Sequence, residues 1–248
     1  MLGAVSLLEP AGFSVDLIGQ GGTQHPARVD RLYVEECGAM RATLVAEGAF
    51  GIDGRNGPLT FRCRTTFFAG SATVRLEFRV RNPRAAVHPG GLWDLGDPGS
   101  VVFKDLSIHL KLAGRVEALR WYAESRDDSR VTRDDRWALY QDSSGGDNWA
   151  SPNHIDANGE RTVTFRGYEV RAGTAASSSV VASDLRATPC LQASSERGWV
   201  AATTEDFWQN FPKALRFTDG VLSVGLFPGE GRAPFELQGG EQKRQVVL

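Results

Sequence analysis

The sequence has few of the residues from which compact chemical sites are most often built. Its 248 residues include only three cysteines, four histidines and two methionines. Cys37, Cys63 and Cys190 are too widely separated for a CxxC metal or redox motif, and their odd number excludes complete internal pairing. They are interpreted as small apolar residues of the interior, and one disulfide is left open.

Longer patterns are missing as well. No apolar stretch approaches the length of a membrane span, so no membrane partner is expected. The N-terminal run Met1 to Pro10 has no basic region and no cleavage site, so it is not read as a signal peptide and the compartment is left open. The chain lacks GxSxG, GxGxxG, Walker, HExxH and EF-hand motifs. Its 28 basic and 30 acidic residues are dispersed, which argues against a nucleic-acid partner.

The patterns that are present indicate β-structure. Glycines number 28 and prolines 11, and no long helical periodicity occurs. In 74–81, Val, Leu, Phe and Val alternate with Arg, Glu, Arg and Arg, the period of a half-buried antiparallel strand. The arginine row is interpreted as a solvated face, with a ligand role as the alternative. A dozen or more such strands without a βαβ rhythm predict an all-β fold, a large antiparallel β-sandwich with at most one short helix.

Several local features complete this prediction. Glu9 to Gly12 is predicted to be the turn of a first hairpin, and Thr203 to Asp206 is predicted to begin a short helix that Pro212 limits. Phe207, Trp208 and Phe211 are assigned either to the core or to a surface that docks a neighbouring domain. Trp93 and Trp121 are assigned to the core. No linker divides the chain, so residues 1–248 are predicted to form a single domain.

One long loop carries most of the candidate chemistry. It lies within Trp137 to Tyr168 and holds an indole, an amide, an imidazole and several carboxylates among Gly, Ser, Asn and Asp. Loops of this length in a compact domain often carry function. A surface excursion, in which Asn153 and His154 only cap the turn before Asp156, is the alternative.

Several strings together resemble one family. They are GGLWDLGDPGSVVFKDLSI, QDSSGGDNWASPNH, FRGYEV, DFWQNFPKAL and FELQGGEQK. They resemble the central β-sandwich of the exo-rhamnogalacturonan lyase-like (YetA-like) proteins, over nearly the whole chain. The resemblance implies a supersandwich of the galactose-mutarotase-like kind, preceded by a small barrel domain and followed by a C-terminal α/α toroid. The chain would then be a fragment of a longer protein, with the toroid as its partner.

The resemblance implies β-elimination on a uronic acid of a rhamnogalacturonan-type polysaccharide. Such an enzyme neutralises the carboxylate, removes the C5 proton with a base and assists departure of the glycosidic oxygen. On this reading His154 is the base or the carboxylate neutraliser, Asn153 is a hydrogen-bond donor and Trp149 is a stacking platform. The further substrate-binding candidates are Asp147, Tyr168 and His88. No cofactor is expected, although a divalent cation such as calcium is possible and would recruit Asp147 or Asp156.

Two other functions are kept open. The first is a non-catalytic carbohydrate-binding or scaffold sandwich that supports a helical toroid. The second is a glycoside hydrolase accessory domain, which needs two carboxylates facing each other across a cleft. The acid pairs of one charged turn are its only sequence support, and they are Asp127, Asp128, Asp134 and Asp135. If the lyase reading holds, Asn153, His154 and Trp149 are expected to line one concave pocket.

Overall fold

The computed structural model describes residues 6–51, 59–88, 95–156, 158–174 and 176–248. These residues form seventeen strands and, as their only helical element, one 3-10 turn, Arg126–Asp128. The paired strands are antiparallel, so the predicted all-β class is confirmed. The strands are β1 Leu8–Gly19, β2 Gln24–Cys37, β3 Arg41–Phe50, β4 Leu59–Phe68, β5 Val74–Arg81, β6 Val101–Leu112, β7 Val116–Tyr122, β8 Arg130–Thr132, β9 Arg136–Gln141, β10 Tyr168–Gly173, β11 Ser178–Asp184, β12 Cys190–Ser195, β13 Gly198–Ala202, β14 Lys213–Thr218, β15 Val221–Phe227, β16 Phe235–Leu237 and β17 Gln242–Val247.

The described residues group into two compact units. The first unit lies within Met1–Val15, Leu106–His154 and Arg161–Arg232, and the second lies within Asp16–Asp105, Ile155–Glu160 and Ala233–Leu248. In the part of the chain that the structure describes, no helix has the length and apolar composition needed to cross a membrane. The predicted single domain stays a prediction.

The first unit is a sandwich of two sheets. One sheet has the order β11-β10-β9-β14-β15-β6, and the other has the order β13-β12-β7-β8. Trp121 of β7 and Trp137 of β9 meet with ring centroids 5.4 Å apart, and both are buried. Leu139 and Leu191 are fully buried on the same two sheets. Burial of these apolar faces stabilises the unit, because each large side chain removed from water contributes about 1.5–3 kcal/mol.

The second unit contains an antiparallel meander in the order β2-β3-β4-β5-β17. The alternation predicted for β5 is confirmed, since Leu76, Phe78 and Val80 are buried on one face. Phe78 stacks on Phe61 with ring centroids 5.6 Å apart. On the opposite face Glu77 is also buried, at 4% exposure, which the simple apolar-in, polar-out pattern does not predict.

The hairpin turn predicted at Glu9 to Gly12 is wrong. β1 runs through these residues to Gly19, and the chain turns afterwards, where the amide of Gly19 donates to the carbonyl of Thr23 at 2.9 Å. Gly12 has no room for a side chain, because a Cβ on it would lie 2.7 Å from the carbonyl oxygens of both Glu9 and Lys111.

The short helix predicted from Thr203 is also wrong. The residues 205–210 form turns, and Asp206 has a φ of +51°, which an α-helix cannot continue through. Phe207 is nevertheless a core residue, at 1% exposure, while Trp208 and Phe211 are half-buried.

The core assignment of Trp121 is confirmed, and Trp93 lies outside the described residues. The three cysteines are free thiols, with Cys63 buried and Cys37 exposed.

Candidate functional site

The base of the long loop is a buried polar junction at the end of β9. Asp142 is 2% exposed, and one of its carboxylate oxygens, Oδ2, accepts hydrogen bonds from the amides of Thr164 at 2.5 Å and Phe165 at 2.9 Å. The hydroxyl of Tyr140 donates to the other oxygen at 3.0 Å. A buried carboxylate requires such donors, so Asp142 fixes where the loop returns to the sheet.

The neighbours of Asp142 fasten the same junction to a second segment. The side-chain amide of Gln141 donates to the carbonyls of Ser143 at 2.7 Å and Leu185 at 2.9 Å, and its oxygen accepts from the amide of Ala187 at 2.9 Å. The hydroxyl of Ser143 accepts from the amide of Gly167 at 2.9 Å. The loop and the chain around residues 185–187 are therefore held at a common, rigid base.

His154 is positioned from both sides of its backbone. Its amide donates to the carbonyl of Ser151 at 3.1 Å, and its carbonyl accepts from the amide of Thr162 at 3.0 Å. Its ring packs edge-on against Phe211, with centroids 5.4 Å apart and planes at 69°. The half-buried imidazole thus has a fixed position beside an aromatic face.

Trp149 and Asn153 lie on the same loop as His154. Trp149 is half-buried and lies in the turn formed by residues 147–150, with its amide donating to the carbonyl of Gly146 at 3.2 Å. Asn153 is exposed. The three residues share one loop, and their roles toward a sugar stay a prediction.

Asp147 holds an arginine in place. Its carboxylate is 97% exposed and accepts from Nη2 of Arg166 at 2.8 Å. Nε of Arg166 also donates to the carbonyl of Gly145 at 2.9 Å. The arrangement brings a guanidinium group to the loop that contains His154, which the sequence pattern did not single out.

A second guanidinium group comes from outside the loop. Arg186 lies over the indole of Trp208, 4.4 Å from the ring centroid, and its Nε donates to the carbonyl of Ser144 at 3.2 Å. No local signal identified Arg186, because it follows a strand and has no motif around it. Trp208 and Phe211 come from the same turn segment, so this segment supplies the aromatic contacts of both Arg186 and His154. The aromatic-cation site is defined here as His154, Arg186, Trp208 and Phe211.

Tyr168 lies in the interior of the first unit. It is 4% exposed and its hydroxyl donates to Oε1 of Glu124 at 2.7 Å. Burial, together with that carboxylate, raises the pKa of the Tyr168 phenol. Its side chain is thus engaged in a structural hydrogen bond.

His88 belongs to the second unit. Its amide donates to Oδ2 of Asp97 at 2.6 Å, and its Nδ1 lies 3.4 Å from the same oxygen. Amide donors, first that of His88 and then that of Gly99, hold the pKa of Asp97 below its usual value against the opposing effect of burial. Asp97 therefore organises this stretch as a charged turn.

A cavity of about 280 Å³ opens at the ends of strands in the first unit. It contains neither His154 nor Trp149, so the predicted common pocket does not coincide with it. The hydroxyl of Thr132 bonds to Asp134 at its edge. The charged residues that line the cavity are Arg115, Glu117, Arg133, Asp134, Asp135 and Asp219.

No metal site is found among the residues that the structure describes. In that part of the chain, no group of three or more His, Cys, Asp or Glu is arranged to share an ion. Asp156, a candidate calcium ligand, accepts from the amides of Asn158 and Glu160, each at 2.9 Å. The Glu160 amide contributes most to lowering the pKa of Asp156. Asp156 thus caps its own turn, whereas the alternative reading of this loop assigned that role to Asn153 and His154.

Lys213 is a buried titratable group that no sequence pattern indicated. It is 1% exposed, and its Nζ donates to the carbonyl of Leu226 at 2.5 Å and lies 5.5 Å from the ring centroid of Phe227. Burial lowers the pKa of the Lys213 ammonium to about 7. At this depth the amine cannot contact a polymer in solution, so it is assigned to the structure and not to the site.

Fold and site together define a class: an antiparallel β protein whose first unit is a two-sheet sandwich, with an aromatic-cation site formed by one histidine of the long loop and three residues from outside it. No protein-family model matches the chain, and no curated protein does either. Among solved structures, a protein from Escherichia coli K12 with the provisional name aldose 1-epimerase has 12% identity and a TM-score of 0.38, over 98% of this chain and 79% of that one. A galactose mutarotase-like protein from Lactobacillus casei has 12% identity and a TM-score of 0.38, over 95% and 82%. Neither likeness contributes to the function proposed below.

Proposed function

We propose that this chain binds an acidic sugar at the aromatic-cation site and forms part of a polysaccharide lyase that acts by β-elimination. The observation that supports the proposal is the pairing of His154 with Phe211 and of Arg186 with Trp208. Aromatic faces suit the apolar faces of sugar rings, and a guanidinium group suits a carboxylate. An imidazole in the same site adds a group that can accept a proton near neutral pH.

Two steps of β-elimination, neutralisation of the carboxylate and removal of the C5 proton, have groups of suitable chemistry in this chain. A guanidinium group stacked on an indole keeps the N–H donors at its edge directed outward, where a uronate carboxylate can accept two of them. Arg186 is therefore assigned to neutralise the carboxylate, which makes the C5 proton more acidic. His154, held by its backbone and by Phe211, is assigned to remove that proton. Trp149 is the platform for the neighbouring sugar, and Asn153 donates to a ring hydroxyl.

The proposal includes the larger protein that the resemblance implies. A C-terminal α/α toroid would face the loop and supply the acid that protonates the leaving glycosidic oxygen. The substrate would then lie between the two domains, with this chain contributing carboxylate recognition and the base.

The test measures the ultraviolet absorbance of the C4–C5 double bond that β-elimination creates, with rhamnogalacturonan-type oligosaccharides as substrate. Wild type, His154→Ala and Arg186→Gln are compared in this chain and in the full-length protein. His109→Ala and Arg171→Gln are the matched controls, because His109 bonds Ser223 and Arg171 pairs with Glu169 on strands away from the site.

The expected result is product from the full-length protein that both site variants lose. Loss of a general base is expected to lower the rate by roughly 10²–10⁴-fold. The controls are expected to keep the wild-type rate. Absence of product with every uronate polymer would refute the lyase proposal.

A second candidate function is sugar binding without catalysis, and the cavity in the first unit favours it. Carboxylates and guanidinium groups such as those of Asp134, Asp219 and Arg133 accept and donate hydrogen bonds to sugar hydroxyls. If this function is correct, oligosaccharides bind to the protein and no unsaturated product forms. The double variant Asp134→Asn, Asp219→Asn is expected to bind them more weakly. Binding that is independent of these two aspartates would exclude the cavity as the sugar site.

A further inference from the structure

One face of the second unit's sheet is rich in arginine. Cross-strand pairs place Arg31 opposite Glu47, Glu47 opposite Arg62, Arg62 opposite Arg79, and Arg79 opposite Arg244, which makes one row across five strands. Directly opposed residues in a sheet have Cβ atoms about 4.5–5.5 Å apart. The arginine face is defined as Arg31, Arg62, Arg64, Arg75, Arg79, Arg81 and Arg244, together with Glu35, Glu47 and Glu77.

Glu77 organises one half of this face. Its carboxylate lies 2.8 Å from Nη2 of Arg244, 3.1 Å from Arg79 and 3.6 Å from Arg75. Burial works to raise its pKa, but the hydrogen bonds and charges of Arg244 and Arg79 hold the pKa of Glu77 below its ordinary value. Glu77 therefore remains ionised and keeps three guanidinium groups gathered around it.

Two more glutamates organise the other half. Glu35 accepts from Nη2 of Arg62 at 2.8 Å and from Nε of Arg64 at 2.7 Å. Glu47 lies 3.5 Å from Arg62 and 3.8 Å from Arg31. The side chains thus form two ion-pair networks, one in each half of the face, and not a set of independent solvated charges.

The arginine side chains of these networks remain partly accessible to an anionic ligand. The side chains of Arg62, Arg64, Arg79 and Arg244 are between 36% and 47% exposed. Each guanidinium group has five N–H donors, more than its glutamate can occupy. Seven arginines against three glutamates leave a surplus of four positive charges on this face. The face is therefore positioned in advance to accept several anionic groups in a row.

We propose that the arginine face binds several carboxylates of a polyuronate chain. The choice of a polyuronate over other polyanions rests on the function proposed above. The remaining residues of the chain contain 21 Lys and Arg against 27 Asp and Glu, so their net charge is negative and the arginine face is the surface on which a polyanion is attracted.

The test is retention in native gels that contain polygalacturonate, its neutral methyl ester or single-stranded DNA. The main variant combines Glu77→Gln, Arg79→Gln and Arg244→Gln, which removes two positive charges without leaving a buried carboxylate. A second variant, Arg31→Gln with Arg81→Gln, changes only exposed residues and leaves the Glu77 cluster intact.

A control with the same change in charge lies in the first unit and combines Arg136→Gln, Glu169→Gln and Arg171→Gln. Thermal melting establishes that each variant is folded before its retention is compared.

Gels that contain polygalacturonate are expected to retain the wild-type protein and the control variant. Gels that contain the methyl ester are expected to retain neither. Each arginine removed is expected to raise the dissociation constant roughly 2- to 5-fold, so the two face variants weaken retention about 4- to 25-fold. Added salt is expected to weaken wild-type retention more than that of the face variants.

The proposal is refuted if folded face variants are retained as wild type is, if the methyl ester retains the protein equally, or if DNA binds as tightly as polygalacturonate. Product formation from short oligosaccharides reports on the aromatic-cation site alone. If product forms but the face variants are retained as wild type is, only the present proposal is refuted. If the face variants lose retention but no product forms, only the lyase proposal is refuted.

Discussion

Replacing Lys213 by Met is expected to stabilise the protein at neutral pH and to change how stability depends on pH. The ammonium group is buried on β14 with a backbone carbonyl, that of Leu226, as its hydrogen-bond acceptor. Methionine has a similar length and no charge, so it fills the same volume. Lys243→Met is the matched control, because Lys243 is a half-exposed lysine paired with Glu241.

The magnitude follows from the pKa of Lys213. It is lowered by burial from 10.5 to about 7, and each unit corresponds to about 1.36 kcal/mol. In the unfolded chain the lysine is charged up to its ordinary pKa, so at pH 7 the burial of this group opposes folding by up to about 4 kcal/mol. Loss of the hydrogen bond to Leu226 costs about 1–3 kcal/mol. Lys213→Met is therefore expected to gain about 1–3 kcal/mol at pH 7.

The sign of the pH dependence is fixed by the lowered pKa. Between about pH 7 and pH 10.5 the unfolded chain binds a proton at this lysine that the folded chain does not, so wild-type stability rises with pH. The advantage of Lys213→Met is expected to shrink by about 2 kcal/mol between pH 7 and pH 9.

The assay is urea unfolding of wild type, Lys213→Met and Lys243→Met at several pH values in this range. Comparison with wild type at each pH cancels the titration of all other groups. A stability difference between Lys213→Met and wild type that does not change with pH, or that grows as the pH rises, would refute the reasoning.

Three further predictions concern the loop base and the cysteines. Asp142→Ala is expected to lower the free energy of unfolding by about 3 kcal/mol, measured in urea, because it leaves the buried hydroxyl of Tyr140 and two part-buried amides without an acceptor. Gly167→Ala is expected to cost at least about 2 kcal/mol in the same assay, since Gly167 has a φ of +86° and a Cβ would lie 2.1 Å from the carbonyl oxygen of Asp184. A maleimide reagent at neutral pH is expected to label exposed Cys37 quickly and Cys63 only on unfolding, because burial raises the pKa of Cys63 to about 11; rapid labelling of both in the native protein would contradict this.

Local periodicity was sufficient to predict the fold class and the position of β5. In β5 the side chains alternate between a buried apolar face and a charged face, and the strand forms where the pattern indicates. The loop within Trp137 to Tyr168 was also identified correctly as a long irregular segment with Trp149, Asn153 and His154 on it. Both features follow from neighbouring residues, because strand alternation and turn composition are properties of a few consecutive positions.

Where a local pattern competes with packing, the prediction failed. Glu9 to Gly12 has the composition of a turn, yet β1 continues through it, with Gly12 close to the backbone of both Glu9 and Lys111. The segment from Thr203 has the composition of a helix start, yet it forms turns with Phe207 in the core. In both segments tertiary contacts outweigh an intrinsic preference that is worth less than about 1 kcal/mol per residue.

The sequence by itself therefore determined an all-β chain, its main strands and the loop that carries His154. Only the tertiary structure decided that Arg186 stacks on Trp208, that His154 meets Phe211, and that arginines from β2, β4, β5 and β17 form one face around shared glutamates. These residues are far apart in the chain, with Arg244 separated from Glu77 by 167 positions. Such contacts depend on strand order and register, which arise from packing of the whole sheet and leave no mark on the sequence near any one residue.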